Sequence, residues 1–212
     1  MVTAVENEYK FTKDSVSDTD RIIEELRGYL KDHDIPFKEK SKHSVDEYFD
    51  TPEMFLYERD CILRRKTSSD GKVKLTAKKP KSNGCGMMSR IETEALSDGS
   101  LEELLSFFED NYAGYILEKE PVLLIEAERT AFDYKDGSGV KLSFDSCTYK
   151  ADGRSHRFYE IEVESMDDDL ERDFDAIGIL DFIEKDLNFE RTIKSKYARG
   201  VEWLSHDQTV QS

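Results

Sequence analysis

Val5-Glu6-Asn7-Glu8-Tyr9-Lys10-Phe11 is the stretch whose reading decides the fold. With a period of two, Glu6, Glu8 and Lys10 share one face, and Val5, Tyr9 and Phe11 share the other with Asn7 as its only polar member. Such a strand packs hydrophobically on the side away from its charges. Taken alone, it reads equally as an edge strand with a solvated polar face. The recurrence of the pattern changes that reading.

The same alternation returns in strands expected over 61–66, 72–79, 87–95, 140–149 and 158–164. Leu63 opposes Arg64 and Lys66, and Val73, Leu75 and Ala77 oppose Lys74, Thr76 and Lys78. Ile91 and Thr93 oppose Arg90, Glu92 and Glu94, while Val140, Leu142 and Phe144 oppose Lys141, Ser143 and Asp145. Tyr159, Ile161 and Val163 oppose Glu160, Glu162 and Glu164. Extended segments over 37–50 and 122–134 complete a set of about eight strands, the second carrying Arg129. Turns at 68–71, 136–139 and 152–153 and a loop over 80–86 join neighbours, so the sheet should be mainly antiparallel. Helices are expected after N-cap candidates at 17–20 through about 31, over 100–110, near 169–177 and near 190–203, with a short helical turn over 53–59.

The helices carry apolar stripes and need a hydrophobic sheet surface to cover. Eight twisted strands also tend to close, which removes exposed edges. The expected fold is therefore α+β, an eight-stranded antiparallel closed barrel with helices packed outside and the charged faces turned into the lumen. Glu6, Glu8, Glu92, Glu94, Asp145, Glu160, Glu162 and Glu164 would there meet Lys10, Arg64, Lys66, Lys74, Lys78, Arg90, Arg129 and Lys141. Ions that are partly desolvated need partners. A polyanion held by the cations, bridged to the carboxylates by Mg²⁺ or Mn²⁺, satisfies both sets.

Composition narrows the function classes. Charged and hydrophobic residues each make up 37% of the 212 residues and aromatics 11%, enough apolar mass for a folded core. No linker divides the chain, so one domain is expected over 1–204, followed by a polar tail over 205–212. A net charge of −16 argues against a nucleic-acid partner, yet leaves room for a basic pocket. Cys61, Cys85 and Cys147 are too sparse for a disulfide framework and read as reduced thiols of a cytoplasmic protein. The longest aliphatic run, Val122-Leu123-Leu124-Ile125, cannot span a bilayer, and no signal-peptide pattern opens the chain. His33, His43, His156 and His206 lack metal-binding spacing, and no Walker loop or nucleophile elbow is found.

The charged motifs, in order, resemble those of the CYTH superfamily, the triphosphate tunnel metalloenzymes. Glu6-x-Glu8-x-Lys10 matches its ExExK motif. Tyr48-Phe49-Asp50-Thr51-Pro52, Leu63-Arg64-x-Lys66, Leu75-Thr76-Ala77-Lys78, Arg90-x-Glu92-x-Glu94, Asp145, Glu160-x-Glu162-x-Glu164 and Ser195-Lys196-Tyr197 follow in the family's sequence. The resemblance implies a triphosphate-binding tunnel in a monomer or homodimer, with Glu6 and Glu8 holding metal together with a pair from Glu160, Glu162 and Glu164. Lys10, Arg64, Lys66, Lys78 and Arg129 would bind phosphate, joined by Arg90 and Lys141. The family usually places a basic residue two positions before the arginine matched by Arg129; here Ala127 stands there, and Lys141 could compensate.

Among these residues Glu162, central in its strand, is the favoured third metal ligand. Lys10 reads as a phosphate clamp rather than a base, since a lysine among phosphates stays protonated. Asp145 either orders a second metal or pairs with Lys141, and Glu92 and Glu94 either orient water or balance nearby arginines. Lys196, on an expected helix, either reaches a tunnel mouth or is solvated. The expected activity is metal-dependent hydrolysis of small triphosphates, inorganic tripolyphosphate first, with a cyclase forming cyclic AMP or a polyphosphate-binding module as the other readings.

Overall fold

In the computed structural model, strand β1 (Val2–Lys13) is the seam at which the sheet closes. The structure describes residues 1–84, 87–135, 140–165 and 174–209. The turn expected over 136–139, Cys85, the start of the helix expected near 169 and the last three residues lie outside them.

Strands β2 (Phe37–Phe49), β3 (Ile62–Ser68), β4 (Val73–Gly84), β5 (Met87–Ser97), β6 (Leu123–Tyr134), β7 (Lys141–Ala151) and β8 (Arg154–Ser165) complete the wall. They run antiparallel in the order β5-β4-β3-β2-β6-β7-β8-β1, and β1 pairs again with β5 from Val2 to Glu8. The eight-stranded closed barrel with outer helices is thus as the alternation predicted. A ninth strand, β9 (Glu190–Thr192), was not foreseen; it takes the edge of β1 at Lys10–Thr12 that β5 leaves free. The expected helix over 190–203 accordingly starts later, and α5 (Lys196–Thr209) runs on through most of the expected tail. Residues 80–84, expected as loop, continue β4, with a register shift between Pro80 and Ser82 where proline cannot donate a ladder hydrogen bond.

Helices α1 (Thr19–Asp32), α2 (Phe55–Glu58), α3 (Leu101–Tyr112) and α4 (Phe174–Lys185) lie outside with α5. Ile22, Leu26 and Leu30 of α1 and Ile179 and Ile183 of α4 bury the outward faces of β7 and β8 at Leu142, Phe144, Ile161 and Val163. Leu104, Phe107 and Phe108 of α3 cover Leu63, Leu75 and Ala77 on the outer face, whereas Tyr197 and Val201 of α5 pack on Ile125, Cys147 and Phe158, which share the inward faces of Arg129, Asp145 and Glu162, at one end of the barrel. Within α3 the core positions are Leu104, Phe107, Phe108 and Tyr112, while Leu101 is exposed. With the apolar faces covered from outside, the charged faces have only the lumen to occupy.

Candidate functional site

The lumen is a cavity of about 830 Å³, and exposure falls along its length. At one end it is rimmed by Val2 (71% exposed) and Leu96 (79%) together with Lys40, Lys72 and Lys74. At the other, its lining residues Tyr48, Ile62, Arg90, Ile125 and Ser195 are all buried. The barrel therefore forms a cup, with α5 set against its floor. Ser195 caps α5 by accepting from the Ala198 N–H (3.0 Å), and the next residue, Lys196, reaches into the cavity.

The charges of the lumen fall into two adjoining groups. On β1, Glu6 is hydrogen-bonded by Lys78, which also lies 3.4 Å from Glu92. Burial alone would raise the Glu6 carboxyl, but the Lys78 and Lys10 ammoniums outweigh it and bring its pKa to about 2. Glu8 is compensated far less. Its one ion pair among the described residues is with Lys10 at 3.0 Å, and burial pushes its carboxyl up to about 7. On β6, β7 and β8, the strands that follow on from β1 around the barrel, Arg129 spans Asp145 (2.6 and 2.5 Å) and Glu162 (2.5 Å). Lys10 donates to Glu162 at 2.9 Å, as their facing positions on β1 and β8 require. Although burial opposes ionisation, these cations hold Glu162 well below the usual carboxylate range and bring Asp145 to about 2.

The structure shows ion pairs that sequence spacing left open. Asp145 pairs with Arg129 and Lys196 rather than with Lys141, whose partner is Glu164 at 2.5 Å. Lys196 is not a solvated helix residue. Its ammonium lies 2.9 Å from Asp145, 2.5 Å from Glu160 and 2.7 Å from Glu162. Glu160 is fully buried beneath Lys196 and Arg199 and does not line the cavity. Arg90 lines the floor but spends its guanidinium on Asp60 at 2.6 Å. Glu94 is bound by Lys74 at 2.9 Å.

Among the lining residues that escaped the sequence reading, the buried carboxylate is Asp46. Asp46, buried on β2, accepts from Arg64 at 3.1 Å and sits 3.8 Å from Lys66. Its signal was present, because Ser44, Asp46 and Tyr48 alternate with Val45, Glu47 and Phe49. Lys66 is left underpaired: burial lowers its ammonium to about 8, with Asp46 only partly offsetting the loss of water. A cation in this state is predisposed to bind an added anion.

Among the described residues, the carboxylates whose oxygens converge within 4.8 Å are Asp145, Glu160 and Glu162. That group is already faced by Lys10, Arg129, Lys196 and Arg199. Glu8 is different. A buried carboxylate that its neighbours fail to compensate is suited to a hard divalent cation, which favours oxygen donors. Glu6 and Glu162 offer further carboxylate oxygens to the same cavity, each already faced by a cation.

A family model, the CYTH domain, matches residues 5–188. Among solved structures, the putative adenylyl cyclase HpAC1 from Hippeastrum, described as having a dominant triphosphatase activity, has a TM-score of 0.60 at 20% identity, covering 93% of this chain and 95% of that one. The PH1819 protein of Pyrococcus horikoshii has a TM-score of 0.58 at 21% identity, covering 92% and 98%. A putative adenylate cyclase from Bacillus halodurans has a TM-score of 0.57 at 17% identity, covering 94% and 98%. These likenesses establish the fold. No curated protein sequence matches the chain. No helix among the described residues is long and apolar enough to cross a membrane.

Proposed function

Because the chain belongs to the CYTH domain family, we propose that it hydrolyses small triphosphates with the help of a divalent metal, inorganic tripolyphosphate being its preferred substrate. The observation that carries this reading is the depth gradient of the cup. Arg64, Lys78, Lys10 and Lys196 lie in its buried part, each held by carboxylates, and Lys66 beside them is offset only in part by Asp46. Phosphate-binding charge is therefore concentrated below the mouth, where a phosphate chain, rather than a nucleoside, would lodge.

Glu6 and Glu8, with Glu162, would hold Mg²⁺ or Mn²⁺, which when bound would neutralise phosphate oxygens and supply an activated water. Lys66, Arg64, Lys78 and Arg129 take the phosphate oxygens, with Lys141 nearer the mouth, while Arg90, paired with Asp60, lends positive charge to the floor. Lys10 and Lys196 stay protonated, because each faces several carboxylates that outweigh its burial, and so act as clamps. Asp145 and Glu160 hold Lys196 in place, Glu164 holds Lys141, and Glu92 balances Lys78 or orients water. Residues 1–204 act as one tunnel domain in this reading, in a cytoplasmic protein that needs no nucleic acid.

The test is phosphate release from tripolyphosphate, ATP and thiamine triphosphate with Mg²⁺ or Mn²⁺. Tripolyphosphate should be cleaved fastest, and chelation should abolish the reaction. Arg64→Ala and Lys78→Ala should each lower kcat/KM about 10- to 100-fold, the worth of one charge-assisted hydrogen bond. Robust cyclic AMP formation from ATP with negligible release from tripolyphosphate would instead assign a cyclase.

A further inference from the structure

Two motifs of which the proposed activity uses only Lys196, Tyr48-Phe49-Asp50-Thr51-Pro52 and Ser195-Lys196-Tyr197, meet in the structure. Asp50 is fully buried at the end of β2 and accepts from the Thr51, Leu56 and Tyr57 N–H groups at 2.7, 2.8 and 2.9 Å. It thereby satisfies backbone donors at the start of α2, whose own N-cap position, Met54, offers no side-chain bond. Its Oδ2 also accepts from the Tyr197 hydroxyl at 2.6 Å, across 147 residues of chain. The Tyr197 ring stacks on Tyr48, a floor residue of the cavity, at 5.4 Å and 2°.

We propose that Asp50 and Tyr197 are positioning residues for Lys196, a latch that fixes the start of α5 so that the ammonium reaches the carboxylates of the floor. Tyr197 follows Lys196 directly, so its hydroxyl and ring fix both the rotation and the depth of the helix start. The Tyr149 hydroxyl donates to the Lys196 carbonyl at 3.1 Å and fixes the same residue from β7. Asp50 is suited to the task because α2 already holds its carboxylate in place, so ordering Tyr197 adds little entropic cost. For a group reaching from a helix end into a site, a small displacement is enough to lose alignment with three carboxylates.

The inference rests on the reading of the cup as a triphosphate site only in its kinetic arm. In that arm, Tyr197→Phe should lower kcat for tripolyphosphate about tenfold, the scale expected for a sub-ångström misplacement. In a Lys196→Ala background the same substitution should change kcat by less than about twofold, since residues acting through one group are non-additive. Equal losses in both backgrounds would overturn the latch. The second arm holds whatever the substrate: amine-reactive labelling followed by mass spectrometry. Lys196 should be protected in the native chain and labelled several-fold faster in Tyr197→Phe, with Lys78, another buried lumen lysine, unchanged. Asp50→Asn should act in the same direction. Labelling of Lys78 and Lys196 rising together would show general loosening, and unchanged Lys196 labelling would refute the positioning role directly. A chain that cleaves no triphosphate yet shows the selective labelling would refute the activity and keep the latch.

Discussion

Lys66 should destabilise the fold that contains it. Its ammonium is held at about 8, against an ordinary 10.5, chiefly by burial. At about 1.4 kcal/mol per pH unit, that interval corresponds to about 3 kcal/mol against the folded state at neutral pH. The side chain retains 23% exposure, so solvent screening reduces the figure to about 2 kcal/mol. Lys66→Met keeps the stem and removes the charge, and should stabilise the ligand-free protein by that amount in urea unfolding at pH 7. The sign of the pH dependence follows. Below pH 8 the folded and unfolded states are both protonated, and the native chain bears the full penalty. Between 8 and 10.5 the unfolded state binds more protons, so native stability rises with pH and the advantage of the variant shrinks. The same variant should bind tripolyphosphate about 10- to 100-fold more weakly by calorimetry, having lost a charge-assisted contact. A variant no more stable than native at pH 7, or one whose advantage is the same at pH 7 and 9.5, would refute the reasoning.

Glu8 should make metal binding pH-dependent: with its carboxyl near 7 in the metal-free chain, apparent Mn²⁺ affinity should rise about tenfold from pH 6 to 8 as the ligand deprotonates. Glu8→Gln should bind metal weakly with no such slope, and an unchanged titration would remove Glu8 from the site. Gly200→Ala tests the seat of α5, because a Cβ there would fall 2.2 Å from Leu123 Cδ2 and 3.1 Å from the Tyr149 ring. It should cost about 1–3 kcal/mol by overpacking, and thermal melts unchanged from native would show that the helix can shift at no cost.

The alternation of charged and apolar residues in β1, β3, β4, β7 and β8 settled which side chains enter the lumen. The period of a strand is two whatever its neighbours are, and covering helices leave the charged face one place to go. Glu6, Arg64, Lys78 and Glu162 were legible for that reason. Which cation meets which carboxylate was not. Arg129 reaching both Asp145 and Glu162, and Lys141 turning to Glu164, depend on how strands β6, β7 and β8 align across the barrel, and no local pattern encodes that register. Nor could the alternation show that one end is closed. Lys196 sits on a helix, where a lone lysine reads as solvated. Its place at the floor comes from the hydrogen bond of Tyr197 to Asp50 and the close approach at Gly200, contacts between segments far apart in sequence. Local periodicity therefore determined the faces, while the docking of α5 decided the depth and closed end of the cup.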